Sequence, residues 1–423
     1  MTHVTAKQAM DVQALPANRR GLHIAVVTET YPPEINGVAV TIRNMLAGLM
    51  DNGHRIQLVR PRQSRTEQAA DEPAFKEVLQ LGFKIPRYDG LKIGLPAKRA
   101  LLRLWSAQRP DLVHLVTEGP LGWSALASAI ELNIPCSSDF HTHFDSYMQH
   151  YGIGWLRRPV AAYLRRFHNK TTSTLVPTSS LRENLLRRGY TDVREVPRGV
   201  DTQLFHPGRR SADLRRQWGV GPRQPVVLSV GRIAPEKNLP LVLQVFAEMR
   251  RARPAAKLVI VGDGPLQSRL KARSPDVIFT GSLRGDDLAT HYACGDVFLF
   301  PSTTETYGNV TLEAMASGLA VIAYDYAAAT HHIESGRNGL LAAFDDTREF
   351  TQLAVRLIKD TQRIQKLGSQ ARKSAEHIDW QRMHPHFEAA LLDVIAAHAR
   401  TSSARPMPLN QVAESGSAFS RGD

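Results

Sequence analysis

Two carboxylates, Glu305 and Glu313, stand eight positions apart in the stretch ETYGNVTLEAMASG (305–318), with Gly308 and Asn309 between them. The apolar run Phe298–Phe300 and then Pro301-Ser302 precede this stretch, and the apolar run Leu319–Tyr324 follows it. That order predicts strand, loop, helix, strand, with the helix starting near Asn309 and stopped by Gly318. The free N–H groups of such a helix start point into the preceding loop and attract phosphate by hydrogen bonding and by the helix dipole. Glu305 lies in that loop and Glu313 about one turn inside the helix. One carboxylate reaches beyond the phosphates, and the other reaches hydroxyls on the nucleoside side. A diphosphate flanked by two sugars fits this arrangement. Paired glutamates more often decorate a solvated helix face. The glycine, the flanking strands and further segments upstream set this pair apart.

Ser229-Val-Gly-Arg-Ile-Ala-Pro-Glu-Lys-Asn238 is the first of those segments. Gly231 permits close backbone approach, while Arg232 offers a planar fork and Lys237 a compact charge. Together they suit a leaving diphosphate with no metal involved. Val261-Gly-Asp-Gly-Pro265 is a tight glycine turn, and at Gly281-Ser282-Leu283 backbone groups are free to read a nucleobase edge. Earlier in the chain, Asn36-Gly37-Val38 sits in a strand-to-helix loop where glycine lets phosphate near the backbone. In Asp139-Phe-His-Thr-His-Phe-Asp145, His141 is placed to hydrogen-bond a sugar hydroxyl and Asp145 to hold an acceptor group. Two histidines beside aspartates also suit a metal, but no further cluster with ligand spacing accompanies them, so no metal is expected. Val196-Pro-Arg-Gly-Val-Asp201 supplies a glycine turn and a cation, Arg198, expected to face a cleft and the acceptor.

The elements that position these residues alternate strand and helix along the chain. Leu22–Val27, Ile56–Val59, Leu112–Val116, Ile134–Cys136 and Leu175–Pro177 read as buried strands, with a loop at Thr28–Val38 and a helix at Thr41–Met50. Residues 61–80 are polar and read as loop. A second cycle runs through Pro225–Val230, the helix Leu239–Arg250, Ala256–Val261, Val277–Thr280, Asp296–Phe300 and Leu319–Tyr324. This alternation predicts an α/β chain with two doubly wound Rossmann-like domains facing a cleft, ligands lying at the strand C-termini. The chain of 423 residues exceeds one hydrophobic core, which agrees. We place a disordered leader at 1–20, a first domain at 21–198 joined by a returning C-terminal helix at 381–399, a second domain at 199–380, and a disordered tail at 400–423.

Composition excludes several classes. Cys136 and Cys294 are the only cysteines, so neither a disulfide framework nor a cysteine-based zinc site is expected. No apolar run marks a signal peptide or a membrane span, and a cytoplasmic protein is expected. The net charge of +13 is concentrated in residues 1–200, where 26 Lys and Arg face 17 Asp and Glu. Residues 155–170 carry arginine pairs at 157–158 and 165–166 interleaved with Trp155, Leu156, Val160, Tyr163, Leu164 and Phe167. That pattern suits a basic amphipathic helix at the anionic inner face of a membrane, although an ordinary half-buried surface helix has the same signature. No nucleic-acid recognition motif accompanies the charge. A dehydrogenase lacks its dinucleotide fingerprint here, and a P-loop NTPase its GxxxxGK.

The Glu305–Glu313 segment, GRIAPEKN (231–238) and VPRGVD (196–201) together resemble the retaining GT-B glycosyltransferases of family 4. FHTHFDSY (140–147) and YPPEINGV (31–38) look most like the bacterial GDP-mannose-dependent α-mannosyltransferases and the sulfoquinovosyl-diacylglycerol synthases. The resemblance implies a nucleotide-sugar donor in the second domain, a lipid or glycolipid acceptor in the first, and no metal or other cofactor. It assigns Arg232 and Lys237 to the donor diphosphate and Glu305 to hydroxyls of the transferred sugar. Gly308, Asn309 and Val310 go to phosphate, Glu313 to the ribose, Gly231, Ser282 and Leu283 to the donor pocket, and Gly37 to closure over the phosphate. His141 falls beside the donor sugar, and Asp145 and Arg198 on the acceptor side. The implied reaction is transfer, with mannose from GDP-mannose, by same-face attack. A UDP-sugar transferase of sulfoquinovosyl or glucosyl type, a nucleotide-sugar epimerase, or a binding protein on the same fold are the alternatives. One departure stands out: DYAAATHHI (325–333) replaces a glycine-containing turn that many relatives carry.

Overall fold

The computed structural model describes residues 21–34, 36–84, 92–141 and 157–403. The expectations about the leader, about Asp145 and about most of the tail lie outside them. Strand β1 (His23–Val27) shows why the first sheet must be covered on both faces. Ile24 and Val26 point to one side and Ala25 and Val27 to the other, and all four are fully buried. β2 (Arg55–Pro61) and β3 (Phe75–Gln80) extend the sheet on one side of β1. A small antiparallel pair follows, β4 (Gly82–Lys84) with β5 (Lys92–Gly94). β6 (Leu112–Leu115), β7 (Cys136–Asp139), β8 (Ser173–Val176) and β9 (Val193–Glu195) extend it on the other, giving the order β3-β2-β1-β6-β7-β8-β9, all parallel.

The second sheet repeats the plan. β10 (Val226–Val230) lies between β11 (Lys257–Val261) and β13 (Val297–Phe300). β12 (Ile278–Phe279), β14 (Ala320–Tyr324) and β15 (Leu340–Ala342) complete the order β12-β11-β10-β13-β14-β15. In each sheet the chain leaves the central strand, β1 or β10, in both directions. A crevice therefore opens at its C-terminal end between β1 and β6, and between β10 and β13.

The helix Trp380–Ser403 packs against the first sheet, where Trp380, Phe387, Leu391 and Val394 share a core with Ile24, Leu46 and Leu58. Its approach to the helix Gly37–Asp51 is close. A Cβ on Gly48 would collide with the His384 ring, so only glycine fits there. Glu388 ties the pair down, accepting from Asn52 Nδ2 at 2.6 Å and lying 3.0 Å from His54 Nε2.

Four local expectations are corrected. Residues 75–80 of the supposed loop form β3: Phe75 and Val78 are half-buried, and charged Lys76 and Glu77 hide the strand in sequence. Glu77 is held there by Arg60 at 2.8 Å. The first helix begins at Gly37, earlier than Thr41, because Asn36 caps it by accepting from Ala39 N–H. The strand expected at Ile134–Cys136 runs Cys136–Asp139 instead, its serines buried in pairing. Residues 400–403, assigned to the tail, continue the last helix.

Candidate active site

The helix Asn309–Ala316 starts where the sequence places it. Gly308 precedes it with φ 95°, a left-handed conformation that suits glycine, and so aims the helix start back toward the strand ends. Glu305 sits in the loop ahead. Its Oε1 accepts from Ser302 Oγ at 2.6 Å and from Lys237 Nζ, and its own carbonyl accepts from Tyr326 at 3.0 Å. Lys237 also lies 5.6 Å from the Phe300 ring centroid. Arg232, after β10, is 4.0 Å from Glu236. A small pocket at this point is lined by Ser229, Gly231, Arg232, Lys237 and Phe300. An anion entering it meets the Arg232 and Lys237 cations.

Glu313 is half-buried on its helix and accepts from Tyr292 Oη at 2.8 Å. Burial pushes its pKa up to about 7, against the lowering effect of that hydroxyl. Ser282 and Leu283 follow β12, where Gly262 N–H donates to the Gly281 carbonyl at 2.9 Å and brings two strand ends together.

The two domains meet around these residues. Asn309 Nδ2 donates to the Gly37 carbonyl at 3.3 Å and to Thr41 Oγ1 at 3.2 Å. Thr306 Oγ1 donates to the His141 carbonyl, and Tyr307 Oη to the Arg198 carbonyl at 3.1 Å. Arg232, Lys237, Glu305, Gly308, Asn309, Gly37 and His141 thus gather along the junction of the two sheets' C-terminal edges.

Two expectations change. Arg198 does not present its charge to an open cleft. It is 4% exposed, with Nη2 3.2 Å from His141 Nδ1 and 3.9 Å from Asp139. The His141 ring is likewise turned inward, with Nε2 3.0 Å from Asp139 Oδ2. Its backbone carbonyl, not its imidazole, faces the donor-side loop. Burial, then the Arg198 charge, lower the His141 pKa, so the ring is neutral at pH 7.

Sequence reasoning also missed Glu29 and Glu118 at the C-terminal ends of β1 and β6. Glu29 accepts from Gly94 N–H at 3.3 Å and from Leu121 N–H at 3.4 Å, yet burial pushes its pKa up to about 7. Glu118 lies 3.2 Å from His168, which is itself 2.9 Å from Ser138 Oγ. Their signal, isolated glutamates just beyond apolar runs, was too short to read. Among the described residues no group of three or more His, Cys, Asp or Glu is placed to hold a metal ion, and no helix is long and apolar enough to cross a membrane.

Two Rossmann-like domains facing each other across a cleft are the GT-B arrangement of glycosyltransferases. Residues 35–204 match the family described as Glycosyltransferase Family 4, and residues 224–360 the one described as Glycosyl transferases group 1. A GDP-mannose-dependent alpha-mannosyltransferase of Corynebacterium glutamicum is 32% identical over 90% of this chain and 91% of its own. The sulfoquinovosyl transferase SQD2 of Arabidopsis thaliana is 30% identical over 88% of this chain and 73% of its own. An alpha-monoglucosyldiacylglycerol synthase of Streptococcus pneumoniae is 30% identical over 72% and 71%. Among solved structures, a sucrose-phosphate synthase of Thermosynechococcus elongatus superposes with a TM-score of 0.73 at 19% identity, covering 89% of this chain and 100% of that one. The chain belongs to glycosyltransferase family 4, and it is a glycosyltransferase.

Proposed function

We propose that the protein moves mannose from GDP-mannose onto a lipid or glycolipid acceptor, with retention of configuration and without a metal. The observation that carries this reading is the convergence of the Gly308–Asn309 helix start, the Lys237–Glu305 pair and Arg232, opposite Gly37 and His141. The GDP-mannose-dependent relative and the glucosyldiacylglycerol synthase support the donor and the lipid acceptor. In this account residues 199–380 bind the donor, and residues 21–198 with the returning helix bind the acceptor.

The donor diphosphate draws Lys237 away from Glu305 and, with Arg232, spreads its charge over both cations and the N–H groups of Asn309 and Val310. Glu305, released, takes hydroxyls of the mannose. Glu313 takes the ribose, while Gly231 leaves room for phosphate and backbone at Ser282 and Leu283 meets the base. Gly37 closes from the first domain, and the His141 carbonyl borders the sugar. The bond from the anomeric carbon to the diphosphate breaks as the acceptor oxygen attacks the same face, and the departing phosphate oxygen takes the acceptor's proton. Stabilising the charge that develops on the diphosphate supplies most of the acceleration. Asp145, from its place in the segment 139–145, is assigned to the acceptor.

The helix Arg157–His168 turns Leu164 and Phe167 inward and leaves Arg158, Arg165, Arg166 and Tyr163 outward. We place it against an anionic membrane, where each basic residue contributes about 1 kcal/mol. Neutralising Arg157, Arg158, Arg165 and Arg166 is expected to weaken binding to anionic vesicles, and unchanged binding would remove the membrane assignment. For the donor, thermal unfolding is followed with GDP, UDP and ADP, with and without EDTA. A ligand at a hundredfold its Kd that binds only the folded state adds about 2.7 kcal/mol. Stabilisation by GDP that survives EDTA is expected; a preference for UDP transfers the donor assignment to a UDP-sugar.

A further inference from the structure

Beneath the sugar-facing edge of the first domain lies a buried cluster that the reaction above leaves unused. Asp139, at the end of β7, is 1% exposed. Its Oδ2 lies 3.0 Å from His141 Nε2, 3.6 Å from His114 Nε2 and 3.9 Å from Arg198 Nη2. Burial opposes its charge, yet the two histidines outweigh burial and hold its pKa well below the usual carboxylate range. His114 is anchored from its other side, with Nδ1 2.9 Å from Ser137 Oγ.

The protons in this cluster can be assigned. Arg198 Nη2 can only donate, so His141 Nδ1, 3.2 Å away, must offer its lone pair. His141 therefore carries its proton on Nε2, toward Asp139. With Nδ1 accepting from Arg198 and Nε2 turned toward the Asp139 carboxylate, the backbone carbonyl is the polar group of His141 that meets Thr306. The Arg198 carbonyl in turn receives Tyr307 Oη, which is also 2.9 Å from His332 Nε2. Thr306 and Tyr307 directly follow Glu305, so the cluster around Asp139 reaches the donor-side loop at two adjacent residues.

We propose that Asp139 is a positioning residue for transfer: it fixes the rotation and tautomer of His141 and seats Arg198, and through them holds the first domain against the Thr306–Tyr307 loop. It touches neither substrate. Asn in its place would set an amide, or a neutral oxygen, against the His141 N–H and the Arg198 guanidinium, so the clamp loosens while the donor pocket stays intact. The inference rests on the glycosyltransferase reading of the cleft.

The test is Asp139→Asn, assayed for transfer with GDP-mannose and for GDP affinity. Removing the charge from a buried cluster of ionisable groups while keeping its shape predicts a fall in kcat of about 10- to 100-fold. The donor KM and GDP Kd should stay within about threefold, because the binding groups lie elsewhere. Tyr307→Phe, which deletes only the hydroxyl bridge, should lower kcat by about 3- to 10-fold. Nitrogen NMR of the wild-type protein at pH 7 should find His141 neutral with its proton on Nε2, a readout independent of whether any variant folds. A proton on Nδ1, or wild-type kcat in both variants, overturns the proposal. Absence of transfer by the wild-type protein itself would instead count against the donor reading, and would leave the tautomer result standing.

Discussion

Replacing Glu313 with Gln separates two roles of one carboxylate. The side chain keeps its shape and can still accept from Tyr292 Oη, but it no longer titrates. Burial raises the wild-type pKa from 4.5 to about 7. The sign follows from the direction of the shift: the folded protein holds this proton more tightly than the unfolded chain. Its contribution is fully present below the unfolded pKa and is lost as pH rises through the folded one. The difference of 7 − 4.5, at 1.36 kcal/mol per unit, is about 3 kcal/mol. Between pH 5 and 8 the wild-type protein should therefore lose roughly 2 to 3 kcal/mol of stability relative to Glu313→Gln. Glu29 carries a similar shift, but it is common to both proteins and cancels in the comparison. Urea unfolding of the two ligand-free proteins across this range reads the difference directly. The same substitution should weaken GDP binding by about 10- to 100-fold, the loss of a charged acceptor for the ribose hydroxyls. Parallel stability curves would refute the burial argument, and unchanged GDP affinity would refute the ribose assignment.

Glu305→Ala should abolish transfer while the protein stays folded, and near-normal turnover would sink the placement of the sugar. Asn309→Ala removes the cross-cleft bonds to Gly37 and Thr41, each net worth about 1 kcal/mol, and should raise the donor KM by about fivefold or more in steady-state assays. Ala327 adopts φ 53° and ψ −131°, a conformation that L side chains rarely take. Ala327→Gly should therefore raise stability by about 1 kcal/mol in urea unfolding, since relief of the strained conformation outweighs glycine's greater chain entropy.

The legible parts of this molecule were those whose signal is local. β10, β13 and β14 are apolar runs bounded by turn residues, and the helix at Asn309 has a glycine on each side, so their nature follows from a few consecutive residues. β3 was hidden because half its residues are polar and Glu77 is held by Arg60 of the neighbouring strand, a partner that only the sheet reveals. The inward turn of Arg198 was equally out of reach. Its partners, Asp139 and His141, come from β7 and the loop after it, and Tyr307 comes from the other domain. A cation next to a glycine turn reads as exposed until the acid that buries it is known. Glu29 and Glu118 became visible as a pair only when parallel pairing of β1 with β6 set their strand ends side by side.

Product analysis decides whether the cleft transfers a sugar from a nucleotide to an acceptor. The full-length protein is incubated with labelled GDP-mannose and EDTA, with and without lipid vesicles containing a diacylglycerol-based glycolipid, and products are separated and their anomeric configuration read by NMR. α-Linked mannose is expected in the lipid fraction, dependent on the acceptor and absent with Glu305→Ala. An altered sugar released without any acceptor, or no turnover of any nucleotide-sugar, would contradict transfer.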